Sequence, residues 1–94
     1  MRIVSGKLKG IRFSIPKRFP SRPTTDFAKE ALFNILHHSI DIEESEVLDL
    51  FSGTGNISYE FASRYAKKVV SVEQNFHCVK FIREMAKTND LTAI

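Results

Sequence analysis

Apolar and polar positions follow two different periods in this chain, and the change from one to the other divides it. Ile11-Arg12-Phe13-Ser14-Ile15 alternates with period two, and Arg2-Ile3-Val4-Ser5 precedes it across Gly6-Lys7-Leu8-Lys9-Gly10. That pattern predicts a β-hairpin with one apolar face and a basic tip. Pro16, Pro20 and Pro23 then interrupt regular structure over a short basic linker. Thr25 or Asp26 can cap the helix that follows, which the spacing carries to about His38. Its apolar residues Phe27, Ala28, Ala31, Leu32, Ile35 and Leu36 form one broad stripe, predicted to bury against the rest of the fold.

After an acidic connector, Asp41 to Glu46, short strands and helices take turns. Val47–Phe51 reads as a strand, and Gly55–Tyr65 as a helix with Ile57, Phe61 and Tyr65 on one face. Lys68–Glu73 reads as a second strand, and Asn75–Thr88 as a helix with Val79, Ile82 and Met85 or Ala86 inward. Leu91–Ile94 reads as the start of a third strand. Alternation of this kind predicts an α/β fold with βαβ crossovers and a parallel, Rossmann-like sheet. Doubly wound sheets usually have about five or more strands, so the expected organisation is a basic hairpin and linker over residues 1–25, then the first half of such a domain over 26–94. An unfinished parallel sheet leaves strand edges unpaired, and self-association through those edges is expected.

Composition narrows the picture. With 94 residues, 43% hydrophobic and eight Phe, the chain suits one small domain with a real core. A single cysteine, Cys78, excludes an internal disulfide and a cysteine-based zinc site, and it is expected to pack in an amphipathic helix. His37 and His38 end the first helix, where cations complement the helix dipole, and no metal site is expected around them. No secretory signal or membrane-length apolar run is present in these residues, so the cytoplasm is the default compartment. Charge changes the picture more. Residues 1–25 hold seven Lys/Arg and no acid, whereas 26–94 hold seven Lys/Arg and eleven Asp/Glu, giving +7 and −4. The basic end predicts contact with a polyanion, and phosphate contacts from Arg2, Lys7, Lys9, Arg12 and Arg22 would position a structured RNA without reading its sequence.

The chemistry concentrates in Val47-Leu48-Asp49-Leu50-Phe51-Ser52-Gly53-Thr54-Gly55-Asn56 and in Glu73. A buried strand feeding a glycine-rich turn that opens a helix, followed by a strand ending in a carboxylate, suits an adenosine-containing ligand. Asp49 can reach the crevice above the sheet, Gly53 and Gly55 admit close approach of a ligand, and the helix after Gly55 offers a positive dipole end to a carboxylate. Glu73 follows Gly53 at the spacing a ribose-binding acid needs. Ser58 stands where a dinucleotide fingerprint has its third glycine, which argues against NAD or FAD. Asp-x-Phe-x-Gly-x-Gly instead suits S-adenosylmethionine, a sulfonium with an amino-acid tail.

Three blocks, Arg22-Pro23-Thr24-Thr25-Asp26, Lys29-Glu30-Ala31-Leu32-Phe33-Asn34-Ile35-Leu36 and Val47 to Gly55, together with the opening Met1 to Gly10, resemble the N-terminal half of bacterial small-subunit ribosomal RNA guanine-N2 methyltransferases. The resemblance covers essentially the whole chain, and the Arg-Pro-Thr-Thr-Asp block is its most specific part. It implies methyl transfer from S-adenosylmethionine to the exocyclic amine of a guanine in ribosomal RNA. Carried over by position, Asp49, Phe51, Gly53, Thr54 and Gly55 line the methionine side, Glu73 takes the ribose hydroxyls, and Gln74 lies by the adenine. Thr24 and Thr25 would close over the cofactor. The family's catalytic Asp/Asn-Pro-Pro-Tyr/Phe motif occurs nowhere in these 94 residues; it is expected downstream of Ile94. A guanine amine is a weak nucleophile that needs that motif's hydrogen-bond acceptors and stacking ring, so this chain alone is expected to bind donor without methylating. Two alternatives stay open: a methyltransferase acting on another amine, in DNA or protein, and a non-catalytic RNA-binding module.

Overall fold

The computed structural model describes residues 1–17, 19 and 24–94. Among these residues three helices and two strands follow one another in the order α1 (Asp26–Ser39), β1 (Glu46–Leu50), α2 (Asn56–Ser63), β2 (Lys68–Val72) and α3 (Phe76–Thr88), with one turn of 3-10 helix at Ile42–Glu44 before β1. The α/β reading holds, and so does the order of elements from α1 to α3. β1 and β2 pair in parallel, with Leu48 opposite Val70, Asp49 opposite Ser71 and Leu50 opposite Val72. Side chains alternate across a sheet, so Val47, Asp49, Val69 and Ser71 share the face that α2 covers, while Leu48, Leu50, Val70 and Val72 share the other. That second face is exposed.

The N-terminal segment folds back as anticipated, but with a single antiparallel bridge, Arg2 to Arg12, in place of an extended ladder. Ile3 N–H donates to Ile11 O at 2.9 Å and Phe13 N–H to Met1 O at 3.0 Å. This turns Ile3 and Phe13 into the core, where the Phe13 ring meets Tyr59 edge-on at 5.0 Å. The loop of the hairpin is not a free tip. Lys7 N–H donates to Ser63 O at 2.7 Å, and Ser63 Oγ both accepts from Leu8 N–H and donates to Ser5 O. Gly6, at φ +91°, packs so closely that a Cβ there would lie 1.9 Å from Ser63 O. Only glycine allows the hairpin to dock on the C-terminal end of α2.

Helix α1 starts where the sequence places it, with Thr25 Oγ1 accepting from Ala28 N–H at 3.2 Å. Its buried face is not the predicted one. Phe27 is 86% exposed and Leu32 and Ile35 also face solvent, whereas Lys29 and Phe33 are fully buried. Lys29 is drawn inward by Glu60 of α2, and Phe33 packs edge-on against Phe61 with centroids 4.7 Å apart, under the Arg64 guanidinium. Specific long-range partners rotate the helix away from its apolar stripe.

The helix after the glycine turn is shorter than predicted, ending at Ser63. Tyr65, expected on its inner face, lies beyond its end at φ 69° and is exposed, and Tyr59 is buried in its place. On α3, Cys78, Phe81, Ile82 and Ala86 are buried, with Val79 and Met85 half-buried beside them. Cys78 packs in the core, as anticipated. Residues 91–94 are a turn and not a third strand: Asp90 takes φ 55°, and Leu91 N–H bonds back to Ala86 O at 2.8 Å. One bond, Val69 N–H to Ala93 O at 2.8 Å, reaches the outer edge of β2. A cavity of about 970 Å³ runs along that edge beside α3, with Glu73 at its margin.

Candidate functional site

The candidate site forms where β1 hands over to α2. The backbone passes through Phe51, Gly53 and Gly55 at φ 58°, 58° and 87°, three left-handed residues in five. For Phe51, which has a Cβ, that conformation costs about 1–2 kcal/mol. Bonds on both sides hold it. Ser52 N–H donates to Val72 O at 2.9 Å, carrying the parallel pairing past β1, and Ser52 Oγ donates to Asp49 O at 2.7 Å. The result is a Phe51 ring 92% exposed at the carboxyl end of the sheet.

Gly55 is the N-cap of α2, and no side chain among the described residues caps that helix. A Cβ on Gly55 would lie 2.7 Å from the Tyr59 ring and 2.9 Å from Ile82 Cγ1, so the position is closed to other residues on steric grounds as well as by its φ. The uncapped amides of the first turn present the positive end of the helix dipole, which suits a carboxylate.

Glu73 follows β2 directly and closes the turn from the other strand. Its Oε1 accepts from Gly53 N–H at 2.8 Å, and its Oε2 from Asn75 N–H at 2.9 Å. The Asn75 amide, then that of Gly53, hold its carboxyl below the usual carboxylate range. Each oxygen of a carboxylate can accept two hydrogen bonds, so Glu73 keeps capacity for two further donors, as many as a vicinal diol offers. Gln74 beside it is exposed. Asn75 caps α3 by accepting from Cys78 N–H at 3.1 Å.

Asp49 is half-buried under the turn, where its Oδ2 accepts from Ser58 Oγ at 2.7 Å, and Ser58 Oγ lies 2.5 Å from Ser71 Oγ. Thr54 is buried, with Oγ1 directed at Met1 Sδ 3.7 Å away, so its backbone is the part nearest the crevice. Thr24 O accepts from Asn56 Nδ2 at 2.8 Å, placing Thr24 next to the first residue of α2. The structure thus joins Gly53 to Glu73 directly, holds Asp49 beneath them through Ser58, and turns the Thr54 hydroxyl away.

Of the basic residues singled out in the sequence, Arg2 lies 3.4 Å from Asp26, and Lys7 donates to Asp90 O at 2.9 Å with Asp90 Oδ2 at 3.5 Å. Lys9 and Arg12 are exposed with no ion pair among the described residues, and Arg22 lies outside them.

Sequence reasoning missed a buried polar network behind the site. Lys29 Nζ donates to Arg2 O, to Asn56 Oδ1 at 2.9 Å and to Glu60 Oε1 at 3.2 Å. Glu60 also accepts from Val4 N–H, Ser5 N–H and Arg64 Nε. The signal was faint: Lys29 sits beside Glu30 in a helix whose charges read as a solvated face, and Glu60 lies 31 residues further on, too far apart in sequence to pair by inspection.

A family model described as "Conserved hypothetical protein 95" matches residues 1–93. The chain belongs to that family. Among curated relatives, it is 35% identical over 85 residues to "Ribosomal RNA small subunit methyltransferase D" of Buchnera aphidicola, covering 90% of this chain and 43% of the relative. The protein of that name from Escherichia coli is 36% identical over 75 residues, covering 80% and 37% respectively. The solved structure of yhhF from Escherichia coli superposes with a TM-score of 0.82 at 29% identity, over 96% of this chain and 47% of that one. The likeness to small-subunit ribosomal RNA methyltransferases carried by the sequence motifs is borne out at the level of the family. This member of Conserved hypothetical protein 95 spans less than half the length of these relatives. No helix among its described residues is long and apolar enough to cross a membrane.

Proposed function

We propose that this chain supplies the S-adenosylmethionine-binding half, and part of the RNA surface, of an enzyme that methylates the N2 amine of a guanine in small-subunit ribosomal RNA, in the cytoplasm. The observation that carries the reading is the Gly53–Glu73 closure: a left-handed glycine turn fixed by a carboxylate that still has room for a diol. The uncapped start of α2 adds a place for the donor's carboxylate. Phe51 offers an exposed aromatic edge to the methionine side, and Gln74 a polar group to the adenine. When bound, S-adenosylmethionine supplies an activated methyl group. The chain's own residues orient it: Glu73 holds the ribose, the turn's backbone excludes water from one side, and Asp49, steadied by Ser58, keeps a negative charge beneath the crevice.

The names of the relatives support ribosomal RNA as the acceptor, and the exposed Lys9 and Arg12 support a cationic, phosphate-binding surface at the hairpin. Residues 1–25 would serve that surface and 26–94 the donor site, with acceptor activation left to a motif these residues do not contain. Isothermal calorimetry of the chain with S-adenosylmethionine tests the reading. Saturable binding that Glu73→Ala weakens at least tenfold is expected; RNA affinity with no uptake of the donor by the unsubstituted chain would favour a non-catalytic RNA-binding module instead.

A further inference from the structure

Asn56 stands one residue past the glycine turn and is almost fully buried, and its carboxamide does two jobs at once. Oδ1 accepts from Lys29 Nζ at 2.9 Å, and Nδ2 donates to Thr24 O at 2.8 Å. The orientation of the amide is fixed by its partners, because an ammonium can only donate and a carbonyl can only accept. Lys29 is fully buried and spends all three of its donors, on Arg2 O, Asn56 and Glu60. It therefore cannot swing away without leaving a buried charge unpaired. Glu60 in turn takes the amides of Val4 and Ser5. The hairpin, Thr24 and the first turn of α2 are thus tied to one another through the buried Lys29.

We propose that Asn56 is a positioning residue for the donor site, an inference that rests on the donor-binding reading above. Held by Lys29, it fixes the Thr24 backbone beside the Gly53–Gly55 turn, so that Thr24 and Thr25 form one wall of the crevice. A carboxamide is required because one short side chain must accept and donate in the same plane. Aspartate can only accept, and serine is too short to span both partners.

Calorimetry with S-adenosylmethionine on the whole chain tests this. Asn56→Asp keeps the acceptor for Lys29 and loses the donor to Thr24; it should weaken donor binding about tenfold with stoichiometry intact. Asn56→Gln, which retains both functions one methylene further out, should recover part of the loss. A purely structural role would lower the fraction of folded, binding-competent molecules while leaving the dissociation constant unchanged, and that result would overturn the proposal. Should Asn56→Asp fail to fold, Asn56→Ser carries the same expectation. Absence of binding by the unsubstituted chain would instead sink the donor-binding reading itself, and the inference with it.

Discussion

Replacing Glu60 with glutamine removes one charge and should cost more than most single substitutions in a domain of this size. Glu60 is fully buried, and its two oxygens accept from Val4 N–H at 2.9 Å, Lys29 Nζ at 3.2 Å, Ser5 N–H at 3.1 Å and Arg64 Nε at 2.8 Å. In Glu60→Gln one oxygen becomes an amide donor that faces donors, and the Lys29 ammonium keeps no buried counter-charge. Charge-assisted hydrogen bonds contribute about 1.5–3 kcal/mol each, and breaking a buried ion pair from one side costs about 3–5 kcal/mol. A loss of about 3–5 kcal/mol is expected, a large share of the roughly 5–15 kcal/mol typical of a domain. Urea unfolding followed by far-ultraviolet circular dichroism measures it, with the midpoint falling and the slope unchanged. The double variant Lys29→Met with Glu60→Gln should lose less than the sum of the two single losses, because it leaves no unpaired lysine in the core. A single-variant cost below about 1 kcal/mol, in the range of an exposed pair, would refute the assignment of a buried, fully bonded network.

Other consequences concern pH, RNA and assembly. The folded-state carboxyl of Glu73 is lowered, so its contribution is present above the unfolded value of about 4.3 and lost as pH falls through the folded one; the difference in Tm between the chain and Glu73→Gln should be seen at neutral pH and vanish in acid, and a difference that persists in acid would contradict the Gly53 closure. Substituting Lys9 and Arg12 by glutamine should flatten the salt dependence of RNA binding by roughly one to two in the log–log slope, while Lys7→Gln, already paired with Asp90, should change it less; equal effects at all three would argue against the exposed pair as the contact. The exposed sheet face of Leu48, Leu50, Val70 and Val72 beside the open edge of β2 favours self-association; sedimentation should give a concentration-dependent mass that Leu48→Lys reduces, and a monodisperse monomer of the unsubstituted chain would contradict it.

Local signals made most of the architecture legible. The β1–turn–α2 unit is written in adjacent residues: β-branched and leucine positions, then glycines where the backbone must go left-handed, then a helix. Glu73 falls opposite Gly53 because strand lengths fix that spacing, and the structure adds a direct bond between them. What the sequence hid depends on partners distant in the chain. The burial of Lys29 rests on Glu60 of α2, Asn56 and the Arg2 backbone, and these override the apolar stripe of α1. Tyr65 carries an apolar ring at the right interval, but the helix ends at Ser63 before it can turn inward. Leu91–Ile94 has strand-like composition, yet the turn at Asp90 and the bond from Leu91 to Ala86 leave it one backbone bond to β2, from Val69 to Ala93, among the described residues.

The donor is expected to bind across the Gly53–Glu73 bond. Amide chemical shifts, followed by nuclear magnetic resonance while S-adenosylmethionine is added to the chain, address that most directly. Saturating shifts are expected at Phe51, Gly53, Gly55, Glu73 and Gln74, on both sides of the Gly53–Glu73 bond, with the amides of Lys7 and Lys9 unmoved. Shifts centred on the outer edge of β2 around Val69 and Ala93, or none at all, would contradict it.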